Sequence, residues 1–303
     1  MKILVTGGKG AIGALLMQKL ADMGHSACSY DLVDGQDLLD LSALDPAVEN
    51  VDIVFHAAAE ANLNKMRTLE GGRSGMARNV GATDNVAYLC AKHRKWLLFL
   101  STTCLYGNVS ENPASEDAAL PNPSEIYAAS KYAAEWIIRG YGISFSLPYT
   151  ILRIATVYGP GCRSELGVHV FLGQALSGEP ITVHGDGRQL RTLTYIEDAI
   201  AGIVAPLGHA SEAIGQIFNI SSTEQISAID MAHRIKALTG SHSKVVFVPQ
   251  RPQNIVTEAA NVSKAKRLLQ WQARVSFSEG LQLTFAWFAS SPGASSRTAP
   301  PRL

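Results

Sequence analysis

Residues 2–24, KILVTGGKGAIGALLMQKLADMG, restrict the fold more than any other stretch of the chain. KILVTG (2–7) is a short apolar run ended by glycine, the form of a buried parallel strand. The next residues place Ile12, Leu15, Leu16, Leu20 and Met23 at helical spacing, with Gly24 as a stop signal. In the joint, Gly8, Gly10 and Gly13 fit G-x-G-x-x-G, and Gly7, Gly10 and Gly13 fit the looser G-x-x-G-x-x-G. Glycine permits a tight turn and close approach of a pyrophosphate, and the helix start offers it unpaired N–H groups. Asp31 ends the following strand candidate, SACSYD (26–31). A carboxylate there accepts hydrogen bonds from ribose hydroxyls and repels a 2′-phosphate. No Arg or Lys follows within DLVDGQD, so the pattern predicts NAD rather than NADP. The alternative is a glycine turn without a ligand.

Further apolar runs at 51–59, 95–101 and 149–154 read as buried strands, with helical patterns between them at 76–93 and 125–139. That alternation predicts an α/β fold, a doubly wound parallel sheet. Beyond about residue 160 the rhythm loosens into shorter helices and strands, which predicts a smaller C-terminal lobe. The tail 291–303 is rich in Pro, Ser, Gly and Ala and is expected to be disordered. The 303 residues are 47% hydrophobic and 17% charged with zero formal net charge. A sizeable core follows, and nothing in the balance points to nucleic acid or a membrane surface. No apolar run reaches spanning length, no signal-peptide layout opens the chain, and the four cysteines lack disulfide or metal spacing. A cytoplasmic protein is expected. His56, His169, His184 and His233 lack ligand spacing, so no metal is expected.

SEIYAASKYAAE (124–135) sets Tyr127 and Lys131 four residues apart, neighbours on one helical face. A free phenol ionises near pH 10, and an adjacent ammonium favours the phenolate. The pair thus reads either as a tuned acid/base or as an ordinary polar pair. STTCLYG (101–107) falls at the C-terminal edge of a predicted central strand, where open parallel sheets bind ligands. A hydroxyl from Ser101, Thr102 or Thr103 can serve there as a substrate contact or as a turn cap.

Together these residues resemble the extended short-chain dehydrogenase/reductase superfamily, in its NAD-dependent nucleotide-sugar epimerase/dehydratase branch. The likeness runs through TGGKGAIG, DIVFHAAA, NVGATDN, LSTTCLYG, YAASK, LRIATVYGPG and VHGDGRQLRTLTYIED, from residue 2 to about 288. It implies a Rossmann-type NAD-binding domain over 1–160, rejoined by about 192–222, and a substrate lobe of insertions over 161–290. It implies that Gly7, Gly10, Ile12 and Gly13 hold the pyrophosphate, Asp31 the ribose, and Asp37 and Leu38 the adenine. Ala57, Ala58 and Ala59 would line the cofactor, with Ser101 beside it and Asn79 in support. Thr102 takes the place of the catalytic Ser or Thr, Tyr127 is the acid/base, and Lys131 also binds the nicotinamide ribose. Arg191 and Arg251 match arginines that contact the substrate diphosphate, and Thr103 and Thr156 are placed at the sugar-nucleotide.

The departures are informative. Family dehydratases carry Asp-Glu directly after the catalytic Thr, and decarboxylases tend to have Glu at the second position. Here Thr103 and Cys104 stand there. The expectation is therefore a nucleotide-sugar epimerase acting at C4 through a transient 4-keto sugar. A reductase, dehydrogenase or dehydratase of the same fold is the alternative, and a non-catalytic NAD-binding sensor or scaffold stands behind both. The resemblance also suggests a homodimer. The segment 60–76 fits the family pattern poorly and is expected over the substrate side.

Overall fold

Eleven strands and eleven helices are built from these runs in the computed structural model, which describes residues 1–108, 111–250 and 259–290. The strands are β1 (Lys2–Thr6), β2 (Ser26–Tyr30), β3 (Ile53–His56), β4 (Trp96–Thr102), β5 (Tyr149–Ile154), β6 (Thr156–Tyr158), β7 (Ile181–His184), β8 (Leu190–Tyr195), β9 (Gln216–Ile220), β10 (Gln225–Ser227) and β11 (Val245–Val248). The helices are α1 (Ala11–Asp22), α2 (Leu41–Glu49), α3 (Leu63–Met66), α4 (Leu69–Lys92), α5 (Ile126–Phe145), α6 (Gly167–Leu176), α7 (Ile196–Val204), α8 (Ala210–Ala213), α9 (Ala228–Thr239), α10 (Ser263–Leu268) and α11 (Phe277–Ser290).

Six strands form one parallel sheet in the order β2-β1-β3-β4-β5-β9. Its inner strands β1, β3, β4 and β5 are almost wholly buried because both faces are covered, whereas the edge strand β2 is half exposed. Ile3, Val5, Ile53, Phe55, Leu98, Leu100 and Leu152 point into one core. Their neighbours Leu4, Val54, Leu97, Phe99 and Ile151 point into the other. The strand order reverses beside β1, which leaves a crevice at the C-terminal ends of β1 and β3. The glycine turn opens into that crevice.

The later residues build a three-stranded sheet, β10-β8-β6, and a pair, β11-β7. Residues of α6, α9 and α11 share the first core with the main sheet, so the smaller sheets are packed onto it. Among the described residues no helix is long and apolar enough to cross a membrane.

Several boundaries differ from the sequence reading. The run 51–59 is a strand only to His56, which leaves Ala57–Ala59 as a loop at the crevice. The helix expected at 76–93 starts at Leu69, because Thr68 caps it by accepting from the Gly71 amide at 3.1 Å. The helix expected at 125–139 runs on to Phe145, through Gly142, where a Cβ would fall 2.5 Å from the Tyr149 ring. The tail 291–303 and Arg251 lie outside the described residues.

Candidate active site

The glycine turn is closed by contacts that leave no room for side chains. Gly7 has φ +72°, and a Cβ there would lie 2.8 Å from the Ala58 backbone. A Cβ on Gly13 would sit 2.0 Å from the Gly7 carbonyl oxygen. Gly10 precedes α1 and brings no capping side chain, so the first amides of the helix keep their donors for an anion. Asp31 fastens the turn from the next strand: its carboxylate accepts from the Lys9 amide at 2.9 Å and the Val33 amide at 3.0 Å.

Two connected clefts run from this turn. The first is lined by Gly7, Gly10, Asp31, Asp37, Leu38, Ala57–Ala59 and Asn79. The second shares Gly7, Gly10, Ala57 and Ala59 and continues past Ile12, Gly13, Ser101, Thr102, Cys104, Tyr127 and Lys131 to Thr156 and Arg163. Thr156 and Leu166 also border a third cleft, lined by Arg191, Gln189, His184 and Phe171 between the two smaller sheets. A dinucleotide fits the first two in sequence. Gly7 and Gly13 would face its phosphates, Asp31 its ribose, and Lys131 the far end.

The reacting end is built on β4 and α5. Thr102 caps the short 3-10 turn after β4 by accepting from the Cys104 amide at 3.2 Å, and it also shares a hydrogen bond with the Tyr127 hydroxyl. The turn-cap role considered for this hydroxyl is thus present, and its bond to Tyr127 is additional. Lys131 is 3% exposed; its ammonium donates to the Leu100 carbonyl at 2.8 Å and lies 4.6 Å from the Phe99 ring centre. Burial pulls Lys131 down to about 8, with Glu135 acting in the opposite direction.

Tyr127 corrects one expectation. Desolvation, then the neighbouring Cys104, pushes its hydroxyl up; Arg163 and the bond to Thr102 pull it back only in part. The phenol is therefore protonated in the protein itself, and Lys131 alone does not bring it toward neutrality. The burial that aims the hydroxyl into the cleft also removes the water that would solvate a phenolate.

Other predicted residues divide. Asn79 is placed as a support: it accepts from the Glu60 amide at 2.7 Å and donates to Ser130 at 2.9 Å, tying the loop after β3 to α5. Ser101 lines the cleft, but its hydroxyl donates to Glu135 at 2.5 Å. Thr103 departs from its predicted place at the substrate: it is 1% exposed within the 3-10 turn, and Cys104 lines the cleft instead. The segment 60–76 is folded as α3 and the start of α4. Leu63, Met66, Arg67, Arg73 and Met76 border a cleft of about 980 Å³ that reaches Tyr127.

The sequence reading missed Arg163. It follows β6, lines the second cleft beside Tyr127, and donates through Nη1 to the Ala61 carbonyl across that cleft. Its signal was a cation on the loop after an edge strand of the ATVYGPGCR segment.

Comparison with known proteins shows the family and the fold. The model of the NAD dependent epimerase/dehydratase family matches residues 3–221. An uncharacterized UDP-glucose epimerase of Bacillus subtilis is 31% identical over 96% of this chain and 98% of its own length. A UDP-N-acetyl-alpha-D-glucosaminuronate decarboxylase of Bacillus cytotoxicus is 31% identical over 95% and 97%. The structure of UDP-glucuronic acid 4-epimerase from Bacillus cereus, in complex with UDP-glucuronic acid and NAD, superimposes with a TM-score of 0.88. It is 30% identical over 95% of this chain and 99% of that one.

Proposed function

The chain belongs to the NAD dependent epimerase/dehydratase family, and from that premise we propose that it interconverts nucleotide sugars epimeric at C4. Bound NAD would supply the hydride acceptor and donor that epimerisation at C4 requires, held by Gly7, Gly10, Gly13, Asp31 and Lys131. The chain's own residues handle the proton and the position. Tyr127 would act as a phenolate, its own proton released to solvent under the joint charge of Lys131 and a bound, oxidised nicotinamide ring; its Oη then takes the proton of the 4-hydroxyl and gives it back on the return step. Thr102, bonded to the Tyr127 hydroxyl, would steady the sugar oxygen. Lys131 stays an ammonium at neutral pH and fixes the charge at the site. Thr156 and Arg191 line clefts in which the nucleotide would lie.

The observation that carries the reading is the Thr102–Tyr127–Lys131 set in a cleft whose neighbouring positions are Thr103 and Cys104. Without carboxylates there, the site lacks the acid/base pair that family dehydratases use to expel water from the 4-keto sugar, which favours return of the hydride. Arg163 narrows the substrate further. A guanidinium beside Tyr127 suits a sugar that bears a carboxylate, and the similar Bacillus cereus epimerase holds UDP-glucuronic acid. We single out a UDP-hexuronic acid. The test is incubation with UDP-glucuronate and, separately, UDP-glucose, with products resolved by chromatography. Conversion of the first to UDP-galacturonate, at no net cost in NAD, is expected. Net formation of reduced cofactor would favour the dehydrogenase alternative.

A homodimer goes with this proposal. On α5, Tyr132, Trp136, Arg139 and Ile143 form one stripe at heptad-like spacing, with Trp136 packed between Tyr132 and Arg139 and Ile143 85% exposed. That stripe suits the same helix of a second copy.

A further inference from the structure

One buried histidine plays no part in the proposed reaction. His169, on α6, is 1% exposed. Its ring stacks on Trp287 with centroids 6.4 Å apart and meets Phe288 edge-on at 5.3 Å, both on α11. Its Nδ1 lies 2.9 Å from the Arg163 carbonyl oxygen, in the loop between β6 and α6. A carbonyl only accepts, so the ring proton sits on Nδ1. Burial holds the imidazole below its usual pKa, so the ring is neutral and Nε2 is a bare acceptor. That nitrogen is buried and has no hydrogen-bond partner among the described residues. An apolar side chain would fill the space beside Trp287 and Phe288 without leaving such a group, which ordinarily costs stability. What the imidazole adds is the bond to the loop.

We propose that His169 is a positioning residue for substrate selection: its Nδ1–H pins the backbone of Arg163, so that the guanidinium is held across the cleft that Tyr127 lines. This rests on the role given to Arg163 above. The loop is irregular from Gly159 to Leu166, and Gly159 and Gly161 take φ of +138° and +73°, so its course depends on what it is tied to. Arg163 is tied at both ends. Its carbonyl accepts from His169 Nδ1 and from the Leu166 amide at 3.3 Å. Its Nη1 donates to the Ala61 carbonyl on the opposite wall. Trp287 and Phe288 hold the imidazole from the far side. A guanidinium fixed in advance loses less freedom when it pairs with a substrate carboxylate, which strengthens that pairing. Leu166, at the junction of the second and third clefts, is steadied through the same carbonyl.

The test compares the binding of UDP-glucuronate and UDP-glucose to the NAD-loaded protein by calorimetry. His169→Leu removes the donor and keeps the volume. The preference for UDP-glucuronate over UDP-glucose is expected to fall about three- to tenfold. His169→Asn carries an N–H on the atom that corresponds to Nδ1. It should keep most of the preference, although its smaller side chain lowers Tm. In an Arg163→Met background, His169→Leu should change the preference no further, because it acts through Arg163. Should the Leu variant fail to fold, His169→Met takes its place, since an unbranched side chain adapts to the same space. Hydrogen exchange followed by mass spectrometry gives a readout that needs no sugar: the amides of 161–166 should exchange faster in His169→Leu than in His169→Asn. An undiminished preference in the folded Leu variant, or equal losses in the Leu and Asn variants, overturns the proposal. If the wild type shows no preference for the uronate, the reading of Arg163 fails. Exchange then decides the pinning by itself, and equal rates in the two variants would overturn that too.

Discussion

Tyr127 and Lys131 carry opposite burdens from the same burial. The phenol is held protonated and the ammonium is loosened, and both effects come from the loss of water around them. Replacing Tyr127 with Phe keeps the ring and deletes the proton carrier. The loss of kcat should be about 10²–10⁴-fold, with bound NAD and Tm unchanged. The pH dependence has a definite sign. Lys131 is charged below about 8 and neutral above it, so activity should fall as pH rises through about 8. In the unfolded chain the same lysine titrates near 10.4. The cost of burying its charge is therefore fully present below about pH 8 and fades between about 8 and 10, which a series of denaturant melts across that window would register. These two residues were legible in the sequence because i, i+4 spacing on a helix is a local fact. Glu135, Arg153 and Arg163 were not, since their partners Ser101, Tyr106 and Ala61 lie 34, 47 and 102 residues away along the chain.

At the scale of elements, the strand–glycine turn–helix unit at the N-terminus is the part most fully written in local residues. Its three glycines answer to contacts that the structure makes explicit. Gly13→Ala would press a methyl into the Gly7 carbonyl, so the purified variant should lose its NAD while the sheet behind the turn still folds. Released nucleotide, measured by absorbance after denaturation, checks this. Other elements were less legible. The helix α4 begins early because a threonine hydroxyl caps it, a signal easily lost among the polar residues of 60–76. Thr68→Ala should lower stability by about 1 kcal/mol in a urea melt. The short strands β6, β8 and β10 have little periodicity of their own; they exist because they pair with one another in the three-stranded sheet.

For the whole molecule, the double-sided core accounts for why an α/β reading was available from apolar runs alone, while the seams between sheets were not. Thr156 and Leu166 belong to two clefts at once, and that junction depends on how the smaller sheets dock, which no local pattern records. The outer stripe of α5 makes a separate prediction at this scale: the proposed homodimer should sediment as a dimer, and Trp136→Glu should turn it into a monomer without unfolding. The most direct measurement of the central claim uses UDP-glucuronate deuterated at C4, with the product examined by NMR and mass spectrometry. Hydride that leaves C4 and comes back to it predicts UDP-galacturonate that keeps the deuterium at C4, with no net absorbance at the reduced-nicotinamide band. Deuterium lost to solvent, release of carbon dioxide, or a steady rise of reduced cofactor would contradict it.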